Sequence, residues 1–128
     1  MVKISSIDFQ VFRIKHIAWR TRVKAFLEGR GSLTEEQAVS HKDCDLGKWF
    51  YAEGLEKYGK LPDMQKLEKV HKDLHKTVRD VILLKKSGDS AAAEQEYKKI
   101  GPLSDEIVSL LTIIEGKVRD MECFRTAM

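Results

Sequence analysis

Proline and cysteine are both scarce in this chain, with two residues of each. So little proline leaves room for long unbroken helices, because few positions lack a backbone amide. Two cysteines, Cys44 and Cys123, cannot form a disulfide framework. The simplest setting is a reducing cytosol, where a thiolate is available to a metal. Long apolar runs are missing too, and none approaches a membrane span. The first residues, Met1 to Ser6, lack the apolar stretch and cleavage pattern of a secretion signal. These absences predict a soluble, cytoplasmic protein or a soluble piece of a longer one. No block of five like charges occurs; Lys85-Lys86 and Lys98-Lys99 are short pairs. With a net charge of +3, this argues for solvated helix faces and against a nucleic-acid or membrane partner. Strand alternation and internal repeats are also missing.

What is present is apolar residue at helical spacing, in a chain of 128 residues that suits one domain with a single core. A first helix is predicted from about Ser5 to Glu28, capped by Ser5 or Ser6. Phe12, His16, Trp19, Val23 and Phe26 share one face, and Phe9, Ile14, Ile17 and Leu27 form a second edge. Two apolar edges imply burial on more than one side. Gly29 and Gly31 stop this helix. Thr34-Glu35-Glu36-Gln37 has the form of a capping box. Leu46, Trp49 and Phe50 then place Cys44 near a helix start, where the N-terminal field should lower a thiol's pKa. Gly47 inside that helix costs about 1 kcal/mol relative to alanine, which makes sense if another backbone passes close by. The stretch ends near Gly54 or after Tyr58-Gly59.

Pro62 or Asp63 begins a third long helix, which ends at Gly88-Asp89. Its buried face runs through Met64, Leu67, Val70, His71, Leu74, Val78, Val81 and Ile82, with His75 on or beside it. A final helical region covers about Ser90 to Arg125. Gly101-Pro102 should break or kink it, with Ser104 or Asp105 re-capping. Ile107, Leu110, Leu111, Ile114, Val118 and Met121 form a narrow stripe that packs internally or against a second copy. The sum is an all-α fold: an up-and-down four-helix bundle with an additional short helix carrying Cys44.

The chain holds four histidines. Two of them, His71 and His75, lie one turn apart on one helix face, a spacing that lets two imidazoles close on one metal ion. His16 lies on the apolar face of the first helix. Cys44 completes a set of one sulfur and three nitrogens, which zinc accepts in a tetrahedral shell. Taken singly, His16 also reads as a core histidine, and Cys44 as a small buried hydrophobe. His41 reads as a surface or supporting residue, or as a ligand in another geometry. Asp43 or Asp45 could accept a hydrogen bond from a ligand imidazole. Trp19, Trp49 and Tyr51 read as packing around the site. Zinc-protease chemistry is unsupported, because Lys72 stands where those enzymes place a glutamate base. A di-iron bundle needs two Glu-x-x-His units, and Glu68-x-x-His71 is one. No enzymatic role is predicted; the plainest alternative is a metal-free helical interaction module.

His16-x-x-Trp19, Cys44-x-Leu46-Gly47-Lys48-Trp49-x-Tyr51 and His71-x-x-x-His75 together resemble the pattern of the chemoreceptor zinc-binding domain family. Order and spacing match as well, over about residues 8–118 of a single domain spanning 1–128. The resemblance implies a helical, usually homodimeric cytosolic sensor. It also implies zinc as cofactor, with His16, Cys44, His71 and His75 as its ligands. Such domains accompany bacterial chemotaxis receptors or diguanylate cyclases, and respond to zinc level or to oxidants such as hypochlorous acid. Neither a cyclase signature nor a methyl-accepting coiled coil occurs in these residues, so the output belongs to another domain or a separate protein.

Overall fold

A computed structural model describes residues 6–31, 33, 40–42 and 44–127, with side chains described up to residue 121 and from residue 7. The described residues are all-α. In chain order they form α1 (Ser6–Leu27), α2 (Asp45–Trp49), a π-helical turn (Phe50–Gly54), α3 (Leu55–Tyr58), α4 (Pro62–Lys86), α5 (Ser90–Tyr97) and α6 (Ile100–Ala127). The helices form the expected bundle, with α4 and α6 packed on each other, α1 packed on α6, and α5 on α4. The short α2 begins immediately after Cys44. The capping box at 34–37, Asp43, and the caps proposed for the first helix lie outside the described residues or side chains.

Each boundary has a local cause. α4 opens on Pro62, whose missing amide is harmless in a first turn. It closes in a Schellman motif: Gly88 adopts φ +89°, its amide donates to the Lys85 carbonyl, and the Asp89 amide donates to Leu84. α1 ends the same way at Gly29. Asp89 then caps α5 through the Ala92 amide at 3.0 Å. The break in the last region falls at Lys98-Lys99, ahead of Gly101-Pro102. Pro102 therefore sits in the first turn of α6, where no amide is owed to a preceding carbonyl, and it does not interrupt the helix. Ser104 is not a cap. It is buried inside α6, and its hydroxyl donates to the His16 carbonyl at 3.3 Å.

The predicted face of α4 is buried along its length. In α6, Ile107, Leu110, Leu111, Ile114 and Val118 are buried within the bundle, so that stripe packs internally. In α1, Phe9, Phe12, His16, Trp19, Val23 and Leu27 point inward. The second edge divides: Leu27 and Phe9 are buried, but Ile14 and Ile17 are 56% and 51% exposed. Burial on two sides of α1 is therefore not realised. A partly buried ion pair, Arg13 to Glu115 at 2.7 Å, fixes α1 against α6.

Candidate metal centre

Three elements bring four side chains to one point. α1 supplies His16, α4 supplies His71 and His75, and the segment before α2 supplies Cys44. Their ligand atoms all lie within 4.8 Å of one another, and the Cys44 sulfur is 3.1 Å from His71 Nε2. Two atoms bound to one tetrahedral zinc would stand about 3.3–3.6 Å apart, given bond lengths near 2.0–2.3 Å. The observed separations bracket that edge. The histidine rings meet edge to face, with centroids 4.7 Å apart for His71–His75 and 4.9 Å for His16–His71. All three imidazoles are buried, and Cys44 is half-buried.

The protonation states suit a cation. His16 Nδ1 donates to the Phe12 carbonyl at 2.7 Å. That bond places the proton on Nδ1 and leaves Nε2 with a lone pair aimed inward. His16 Nε2 is buried and has no hydrogen-bond partner. An orphaned acceptor in a polar cluster is costly unless something cationic meets it. Burial holds His16 below its ordinary pKa of 6.5, with Lys15 adding to the effect. Burial, then His16, His75 and His41, push His71 down to about 2. The rings of His16 and His71 are thus held neutral, as metal ligands must be.

Cys44 departs from expectation. It caps α2, and its sulfur accepts the Gly47 amide at 3.4 Å. That contact favours the thiolate, yet burial outweighs it, and the pKa is raised from its ordinary value. A helix of five residues supplies too little field to offset desolvation. The thiolate needs a cation in the cluster itself, which would deprotonate it outright.

Gly47 shows why the segment is built as it is. A Cβ there would lie 1.8 Å from the His41 carbonyl oxygen and 2.9 Å from the Lys42 carbonyl carbon. The chain before Cys44 folds directly over this glycine, as its cost within a helix implied. His41 is not among the converging ligands. Its Nε2 meets the Tyr51 hydroxyl at 3.0 Å, and Tyr51 donates to Glu68 at 2.9 Å. This chain of contacts braces the ring of His41 edge-on to His71. Burial, and then Glu68, push Tyr51 up to about 12. Glu68 is not among the converging ligands, and no other group of metal-holding form occurs among the described residues. Asp45 does not reach an imidazole; it pairs with Lys15. Trp19 packs its ring 6.2 Å from His75, and Trp49 packs on Phe9 at 5.7 Å. The His41–Tyr51–Glu68 contact was not read from the sequence, where three polar residues spread over 28 positions carry no common period.

Residues 16–82 match the profile of the family described as the chemoreceptor zinc-binding domain. The matched segment opens at His16 and includes Cys44, His71 and His75. The chain belongs to the chemoreceptor zinc-binding domain family. Neither a curated protein nor a solved structure matches it at a significant level. As a chemoreceptor zinc-binding domain, the chain places its whole candidate cluster inside the matched segment. The end of α4, all of α5 and all of α6 lie beyond it. No helix among the described residues is long and apolar enough to cross a membrane.

Proposed function

We propose that the chain is a single sensory domain that binds one zinc ion through His16, Cys44, His71 and His75, and passes its occupancy to a signalling output. The observation that carries this reading is the convergence of one sulfur and three buried imidazoles inside the matched segment. Bound zinc would supply the charge that holds Cys44 as a thiolate and would tie three separate elements together. Four protein ligands leave no position for water, so the domain is a sensor and not a hydrolase. The residues do the rest. His16 and the α4 pair sit on helices held by their own apolar faces. Cys44 sits at the start of the five-residue α2, outside the long helices, so it is the ligand whose loss frees a part of the fold. Oxidation of its sulfur, or loss of the cation, would release the segment from α4 and bias a two-state element.

The outputs that fit are chemotaxis signalling or cyclic-di-GMP synthesis in the cytoplasm, through an attached domain or a separate protein. A homodimer fits the exposed stripe of α1, where Ile7, Ile14 and Ile17 are each more than half exposed. The decisive experiment is metal analysis of gently purified protein, with cobalt substitution to report sulfur ligation in the visible spectrum. One metal per chain, with the sulfur band lost in Cys44→Ala, is the expected result. Metal-free protein, or a band unchanged by that substitution, overturns the reading and leaves a helical interaction module.

A further inference from the structure

A cleft of about 330 Å³ opens beside the cluster, between α1 and the start of α2. Cys44 and His16 lie on its wall with Phe12, Trp19 and Leu46. Cys44, which is partly exposed, borders this cleft. Among the described residues, the charged ones around it are Lys15, Arg22 and Asp45, two cations to one anion. Lys15 and Asp45 pair with each other across the opening, from α1 to α2, and both are about half exposed. Arg22 lies over the Trp19 ring, 4.7 Å from its centroid, with no carboxylate partner among the described residues. Its guanidinium therefore keeps an unneutralised charge beside an apolar wall. A concave site with low-dielectric walls concentrates ions of the opposite sign.

We propose that this cleft is a binding and access site for small thiol-reactive anions, which Lys15 and Arg22 hold while they meet the Cys44 sulfur. The site selects by charge: anionic reagents reach Cys44 faster than neutral ones of the same shape. The Lys15–Asp45 pair spans the opening, so an arriving anion competes with Asp45 for Lys15. The inference deepens the sensor reading, since it names the class of molecule that reaches the metal-binding sulfur. It depends on the accessibility of Cys44 and on the charges around it, and a metal-free protein would show it as well.

The test uses Cys123→Ser protein, in which Cys44 is the sole thiol. Two aromatic disulfides of similar size serve as probes, one dianionic and one neutral. In each reaction the Cys44 thiolate attacks one probe sulfur and the probe's S–S bond breaks. A mixed disulfide forms, and the other half leaves as a thiolate whose colour reports the rate. The ratio of anionic to neutral rate is the measured quantity, in metal-loaded and metal-free protein. Replacing Lys15 and Arg22 together by Gln should lower that ratio about tenfold at low salt, the lower end of cleft-focusing effects. The neutral rate should hold, which also reports an intact fold. Lys15→Arg with Arg22→Lys should keep the ratio. In protein with both native cations, the anionic rate should fall with added salt while the neutral rate stays level. A ratio unmoved by the Gln pair, or an anionic rate indifferent to salt, overturns the proposal. Metal analysis of the same samples separates this outcome from failure of the zinc reading. Charge selection without bound metal would sink only the latter.

Discussion

Gly47→Ala places one methyl group where the backbone of residues 41 and 42 already lies. The new carbon would start 1.8 Å from the His41 oxygen and 2.8 Å from its carbonyl carbon. Ordinary contact requires about 3.4 Å or more between such atoms, so the segment must move by more than an ångström. Backbone cannot rotate away as a side-chain tip can. The cost belongs at the top of the range for overpacking, about 3 kcal/mol. Better helix propensity returns about 1 kcal/mol. The net loss is about 2 kcal/mol, or roughly 6–12 °C in Tm for a domain of this size. The displacement also reaches the metal site, because the moved segment leads directly into Cys44, whose sulfur is 3.1 Å from His71. Weakened support of one ligand lowers metal affinity by about 10–100-fold. Thermal unfolding of metal-free protein measures the first effect, and chelator competition measures the second. Unchanged Tm and unchanged affinity would refute the close packing of residues 41–42 on α2, and with it the account of how Cys44 is positioned.

Acid should destabilise the metal-free protein. Burial holds His16 and His71 below their ordinary pKa of 6.5, so as pH falls through that value the unfolded chain takes up protons that the folded chain refuses. Stability is full above 6.5 and declines below it by about 1.4 kcal/mol per pH unit for each group, until its folded pKa is reached. Urea unfolding between pH 7.5 and 4.5 checks this, and a flat profile would contradict buried neutral imidazoles. Tyr51→Phe removes the hydroxyl joining His41 to Glu68 and should cost about 1 kcal/mol without unfolding the bundle. Chemical denaturation reads that cost, and a gain in stability would show that the contact contributes nothing. Leu74→Ala, at a fully buried position between the two α4 histidines, should cost about 2–5 kcal/mol with or without metal. A loss confined to the metal-loaded form would mean that Leu74 packs only when the site is filled.

The candidate ligands were legible as a set because each carries a local mark. His71 and His75 sit one turn apart on a face whose other members are apolar, and that face is buried. Gly47 announced a close approach by its cost in a helix, and the His41 carbonyl makes that approach. Other features had no such mark. The thiol of Cys44 sits at a helix start, as expected, but only packing shows that desolvation outweighs the cap. Pro102 reads as a breaker until the helix is seen to begin two residues before it. The bridge from His41 through Tyr51 to Glu68 joins residues whose spacing carries no signal.

Local order, then, was written in the chain: helix spans, most of their buried faces, and the residue types that suit a soft divalent cation. These follow from short-range rules, since a turn of helix relates each residue to its neighbours three and four away. Which side of α1 faces inward was decided by packing. Apolar residues lie all round that helix, and Ile14 and Ile17 were left outside while Phe12, His16 and Trp19 went in. Packing also decided the meeting of α1, α4 and the Cys44 segment, because contacts between distant stretches depend on how whole faces fit together. Burial of the cluster comes from the same fit, and with it the neutral state of His16 and His71 and the raised pKa of the thiol.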